Sequence, residues 1–209
     1  MPKIVDHGER RNEIADAVLT LIANGGTKAV TTRNVAKQSG WSAGTVNHYF
    51  ESREALMLGA LRRAAQLQGR ELKRILHRGD ATPMERLHRM TESILPLDER
   101  RVAMTKIFLE YYAQSNAQAD TQEEVAQYLR NWRNAATRLI QQCKEEGSIA
   151  SSREASTLAV ELVAMTDGLS MHALLDPDVL VPLLTDGGTV TISFIDDSWR
   201  AVKIPHAPV

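Results

Sequence analysis

Between Thr31 and Arg53 the chain reads TTRNVAKQSGWSAGTVNHYFESR. Apart from one carboxylate, Glu51, its polar side chains are hydroxyls, amides, an imidazole, an ammonium and guanidinium groups, the types that hydrogen-bond to phosphate oxygens and base edges. The spacing gives two short helices about a tight turn. Thr32 is placed to cap the first by accepting an orphan amide, Val35 and Ala36 form its inner face, and Gly40 supplies the left-handed residue that ends it. Ser42 then caps a second helix through Ala43, Gly44, Thr45, Val46, Asn47 and His48 to Tyr49 and Phe50. Its outward face is small and hydrogen-bonding, as a helix seated in a major groove requires, since bulky or acidic groups would be excluded or repelled. The pattern is a helix-turn-helix, and the chemistry it predicts is recognition of DNA.

Helices must hold that motif. Ile14, Val18, Leu21 and Ile22 predict a first helix over Glu9–Asn24, stopped by Gly25-Gly26. Ser52 caps a long helix over Arg53–His77 with an apolar row from Ala55 to Leu76 and a basic outer face. Gly79–Pro83 is a linker, and Thr82, Pro83 and Glu85 start the next helix, which stops at Pro96. Further helices are expected over Asp98–Ala117, from a capping box at Thr121–Glu124 to Glu146, and over Ser152–Leu175. Val179–Leu184 suits a short helix. From Thr189 the β-branched content competes with the helical spacing of Ile192, Ile195, Trp199 and Val202, and a terminal helix is the expectation. The predicted fold class is all-α, with about nine helices.

Composition is that of a helical globular protein: 43% hydrophobic, 24% charged and only 5% aromatic residues. The lone Cys143 rules out an internal disulfide and suits a reducing cytoplasm. The polar N-terminus does not read as a signal peptide, and the apolar runs Leu158–Met165 and Val179–Leu184 are shorter than a membrane span needs, so a cytoplasmic location is expected. Net charge is −1, but its distribution is uneven. Residues 1–78 carry 13 basic and 7 acidic side chains, a net +6, leaving −7 on the rest. That asymmetry suits a chain of which one end meets phosphate. His172, Asp167 and Cys143 form no nucleophile motif, no metal-binding histidine pair is present, and no glycine-rich phosphate loop is visible. No enzyme, metal or cofactor is expected.

The motif and the phrase TVNHYFESREALM resemble the tetracycline-repressor (TetR) family over roughly residues 10–60. A weaker echo is Ala164–Leu169, with the Asp-Gly-Leu of the dimerising helix in many members, and the opening MPKI with SxGTVxHYF looks like the choline-responsive (BetI-like) branch. The resemblance implies a helix-turn-helix domain at 1–53 and a ligand-binding and dimerisation domain at 54–209. Carried over, Thr32 meets a phosphate, Arg33 reaches a base edge, Ser42 both caps its helix and contacts a phosphate, and Ala43 and Gly44 approach bases. Thr45, His48 and Tyr49 bond phosphates, and Arg53 adds a charged contact. Asn47 replaces a usual tyrosine and could read adenine or hold a phosphate. Trp41 replaces a small aliphatic residue and would plug the turn; Phe50 reads as core.

In the family resembled, the body dimerises and encloses a small ligand. The expected ligand residues are Met104, Phe108, Tyr111, Tyr112, Trp132, Met165 and His172, with Glu110 near the aromatic faces. Such a set suits a cationic or apolar effector. The dimer would bury Leu158, Leu162, Met165, Leu169, Ile195 and Trp199 against their symmetry mates, unless these form the monomer core. The implied function is a repressor that binds a palindromic operator as a homodimer and is released by a small molecule, the alternative being an activator or structural DNA binder of the same architecture.

Overall fold

The computed structural model describes residues 7–113, 119–180, 189–195 and 197–204. Among the described residues eight α-helices run in order: α1 (His7–Gly25), α2 (Thr32–Ser39), α3 (Ala43–Tyr49), α4 (Arg53–Leu76), α5 (Pro83–Glu92), α6 (Glu99–Ala113), α7 (Ala119–Glu145) and α8 (Ala155–Leu175). Short 3-10 turns lie at Thr27–Ala29 and Pro177–Leu180, and an antiparallel hairpin pairs β1 (Thr189–Ile195) with β2 (Ser198–Ile204). The chain forms two units, Met1–Gly69 with Leu97–Gln122, and Arg70–Pro96 with Glu123–Val209.

In the first unit, α1 is the hub. Ile14, Ala15, Val18, Leu19 and Ile22 make its buried face, at the 3.6-residue recurrence that the sequence announced. Val35 of α2, Val46 of α3, and Leu56 and Ala60 of α4 are buried in the same unit. Phe50, 2% exposed, lies against Gly59 of α4. A Cβ at Gly59 would sit 2.4 Å from Phe50 Cε1, so only glycine admits the ring. Helix α6 holds the end of α1 by a cation: Lys106 Nζ donates to the carbonyl of Ala23 at 2.9 Å, in the last turn where carbonyls lack helical partners.

The second unit has one contiguous core. Leu72 and Ile75 from the end of α4, Leu87 and Met90 of α5, Trp132, Leu139, Ile140 and Cys143 of α7, and Leu158 and Leu162 of α8 pack together. Pro83 opens α5 at its first position. Thr82 accepts from the Glu85 amide while the Glu85 carboxylate accepts from the Thr82 amide, a complete capping box.

Three expectations are corrected. Helix α7 begins at Ala119, so Thr121 is a buried residue within the helix and not its cap. Helix α8 begins at Ala155 behind Glu154, three residues later than Ser152. The stretch from Thr189 is a β-hairpin and not a terminal helix. β-Branched residues at Thr189, Val190, Thr191 and Ile192 prefer extended backbone, and Asp197 takes the left-handed φ of 57° at the turn. The suggested helix over 179–184 lies partly outside the described residues; its start belongs to the Pro177–Leu180 turn.

The monomer core also claims Leu158, Leu162 and Trp199. The first two are fully buried, and Trp199 Nε1 donates to the Leu158 carbonyl at 3.0 Å. Helix α8 is long and apolar enough to cross a membrane by length and composition alone. Eight of its residues are nonetheless buried, including Leu158, Leu162 and Val163, as in the core helix of a globular unit. Its opposite face leaves Val160, Met171 and Leu175 exposed.

Candidate nucleic-acid interface

The cap of α2 is Thr31, not Thr32. Thr31 has extended backbone, and its hydroxyl accepts from the Asn34 amide at 3.2 Å. Thr32 thereby becomes the first helical residue, half-buried. Two adjacent threonines satisfy the same capping rule, so sequence alone could not choose between them. Asn34 adds a second tie, its side-chain amide donating to the Ala29 carbonyl at 2.9 Å. Gly40 ends α2 with φ 75°, a left-handed conformation open to glycine at little cost.

Ser42 caps α3 as expected, accepting from the Thr45 amide at 3.0 Å, with its Oγ 2.9 Å from Thr45 Oγ1. Val46 and Phe50 anchor the inner side of the helix in the core. Ala43, Gly44, Asn47 and His48 are exposed on the outer side, with half-buried Thr45 and Tyr49 along one edge of it. Arg33 on α2 is also exposed and makes no hydrogen bond or ion pair with any described residue. No acid occurs from residue 31 to residue 50. The outer face is thus small, polar and free of like-charge conflict with phosphate.

Helix α1 fixes this surface through residues that the sequence reading missed. Trp41 lies under the Arg10 guanidinium, 3.5 Å from the ring centroid, and its Nε1 donates to Glu13 at 3.2 Å. The expected plug is therefore also a polar and cation–π joint. Tyr49 OH lies 2.9 Å from His7 Nδ1, and Arg11 donates to the Tyr49 carbonyl at 3.2 Å while stacking over Phe50. The available signal was the spacing of His7, Arg10, Arg11 and Glu13 on neighbouring turns of α1. Arg53 is likewise engaged: its Nε donates to the Val30 carbonyl at 3.2 Å and its Nη2 to the Thr27 carbonyl at 2.7 Å.

The expected ligand residues fall in both units. On α6, Met104 and Phe108 are buried, Tyr111 and Tyr112 half-buried, and the Phe108 and Tyr112 rings stand 6.3 Å apart. Glu110 accepts from the Thr27 hydroxyl at 3.4 Å. In the second unit Trp132 is part of the core, 6.1 Å from Tyr128; Met165 packs half-buried against that core, and His172 is exposed. A cavity of about 410 Å³ opens in the first unit between α1, α4 and α6, with Leu19, Leu67, Ala103, Asp16, Arg63 and Glu99 in its wall. None of the expected ligand residues lines it.

Comparison with known proteins extends the geometry. Residues 14–60 match the family model for bacterial regulatory proteins of the tetR family, and residues 83–182 match the BetI-type transcriptional repressor C-terminal model. The HTH-type transcriptional regulator PksA of Bacillus subtilis is 28% identical over 181 residues, covering 85% of this chain and 84% of the relative. The HTH-type transcriptional regulator BetI of Brucella anthropi is 27% identical over 175 residues, covering 83% and 87%. A transcriptional regulator from Saccharomonospora viridis, solved in complex with choline, matches with a TM-score of 0.71 and 25% identity over 81% of this chain and 87% of that one.

Proposed function

We propose that this chain, which belongs to the TetR family and carries a BetI-type C-terminal domain, represses transcription from a palindromic operator and lets go when a small cation binds. It is a transcriptional regulator and not an enzyme. The observation that carries the operator reading is the acid-free outer face of α3, with Ala43, Gly44, Asn47 and His48 exposed, together with an exposed Arg33 on α2 that no described residue engages. On this reading residues 1–53 contact DNA in the cytoplasm and residues 54–209 provide the receptor and the dimer.

One recognition helix spans only a few base pairs, so operator choice calls for two, set about 34–36 Å apart by a two-fold axis. The exposed apolar side chains Val160, Met171 and Leu175 on α8 suit burial against a second copy. Thr32, Thr45, His48 and Tyr49 bond phosphates, and Arg33 takes guanine O6 and N7 with its fork.

For the effector, the choline bound by the Saccharomonospora viridis regulator supports a quaternary ammonium. Phe108, Tyr111 and Tyr112 with Met104 on α6 offer ring faces, each worth about 0.5–2 kcal/mol to a cation. A ratio of about 100 between its affinities for the two conformations supplies about 2.7 kcal/mol of coupling.

The test is a mobility-shift titration on duplexes selected from a random library, with and without choline. Selection of a palindrome, its loss with Arg33→Ala, and release by choline support the reading. Equal binding of all duplexes by the wild type refutes the operator assignment, and an Arg33→Ala variant of unchanged preference refutes the base-reading role of Arg33. Release by no quaternary ammonium refutes the effector assignment.

A further inference from the structure

Among the exposed residues of α3, Asn47 occupies a distinct place. On the helical wheel it falls between Ala43 and Gly44, at the middle of the outer arc, whereas His48 lies towards one edge with its ring 5.2 Å from that of Tyr49, edge-on. Ala43 and Gly44, the residues one turn before it, carry at most a methyl group. Nothing in that turn holds the helix axis away from the floor of a groove. A short side chain on the outer arc of a deeply seated helix ends at base edges, while half-buried Thr45 and Tyr49 lie together beyond His48 on one side of that arc.

The amide is also unspent. Asn47 makes no hydrogen bond with any described residue, in contrast to Asn34, whose amide is committed to the Ala29 carbonyl at 2.9 Å. A carboxamide presents one acceptor and one donor side by side. Adenine presents the complementary pair in the major groove, the N6 amino donor and the N7 acceptor; guanine offers two acceptors, and cytosine a donor only. Phosphate offers acceptors alone and would use half of the amide.

We propose that Asn47 reads an adenine in each operator half-site, by accepting from N6 and donating to N7, and so sets a base pair that Arg33 does not. The inference rests on the operator-binding reading above and adds to it the identity of one base.

The experiment uses the full-length protein. Duplexes are selected from a random library by the wild type and by Asn47→Ala, and affinities are then measured on the wild-type operator with adenine or 7-deazaadenine at the pair in question. We expect the wild type to select an invariant A·T pair in each half-site. Asn47→Ala should keep the rest of the motif and lose preference at that pair, discrimination falling by about 5- to 150-fold per half-site. Removing N7 should weaken the wild type and leave Asn47→Ala unaffected. The side chain is exposed, so an unchanged thermal midpoint is expected of the variant. If Asn47→Ala still demands the adenine, or weakens every sequence alike with a shallower salt dependence, the proposal is overturned while operator binding stands. A wild type that selects no motif overturns both.

Discussion

Arg63 on α4 grips both carboxylate oxygens of Asp16 on α1, with Nε to Oδ1 at 2.8 Å and Nη2 to Oδ2 at 2.7 Å. The pair is bidentate, and the arginine side chain is only 13% exposed against 44% for the aspartate. A fork-to-carboxylate contact fixes direction as well as distance. It therefore sets the rotation of α1 against α4, and α1 carries the residues that brace Trp41 and Tyr49.

Removing the guanidinium leaves Asp16 part-exposed and able to recover water, so the loss should be moderate. Arg63→Ala is expected to lower stability by about 1–3 kcal/mol in denaturant unfolding. Arg63→Lys should recover only part, because an ammonium cannot make both bonds at once. Full recovery by lysine would show that charge alone matters here.

Arg53 joins the start of α4 to the carbonyls of Thr27 and Val30, so its sequence-derived role as a phosphate ligand describes only part of it. Arg53→Ala should weaken DNA binding evenly across sequences and also lower the thermal midpoint without DNA, by the equivalent of about 1–2 kcal/mol. A purely phosphate-bound arginine would flatten the salt dependence and leave the midpoint unchanged. The free protein's melting curve separates the two.

Glycine to alanine inside a helix ordinarily stabilises by about 1 kcal/mol. At Gly59 the sign should reverse, since the new Cβ would meet the Phe50 ring at 2.4 Å and that ring is too buried to swing away. Gly59→Ala is expected to lose about 1–3 kcal/mol. Phe50→Leu with Gly59→Ala should do better than additivity from the single variants. Strict additivity in the double-mutant cycle would mean that the two positions do not compete for space.

The reading head was legible because its rules are local. Gly40, Ser42, Val46 and Phe50 each follow from a turn, a cap or an inward position, and all four stand where the sequence places them. Thr31 and Thr32 defeat the same rules, being equivalent to a capping argument and distinguished only by where the preceding turn ends. The braces from His7, Arg10, Arg11 and Glu13 were hidden because charged residues on a helix surface look alike in sequence whether or not another helix lies over them. The hairpin was missed for a related reason. Ile192, Ile195 and Trp199 satisfy a helical spacing, yet the pairing of Phe194 with Trp199 across a turn at Asp197 is a non-local fact.

Asp167, on α8, has a carboxyl whose pKa burial pushes up to about 6. Desolvation is the sole cause, so the folded protein holds this proton more tightly than the unfolded chain does. The linkage sign follows: the contribution of Asp167 to stability is fully present below pH about 4 and is lost as pH rises through about 6. Above that, an ionised carboxylate sits where water is scarce, at a cost on the order of 1–2 kcal/mol. Asp167→Asn removes the charge at nearly constant shape. It should therefore stabilise the protein at pH 7.5 and make no difference near pH 4, with the change between the two curves centred between those values. Other carboxylates, such as Asp98 and its Arg101 partner, titrate in both proteins and cancel from the difference. An Asp167→Asn variant that is less stable at pH 7.5 would mean that the ionised carboxylate is held by a favourable partner, and burial would not be what governs its proton.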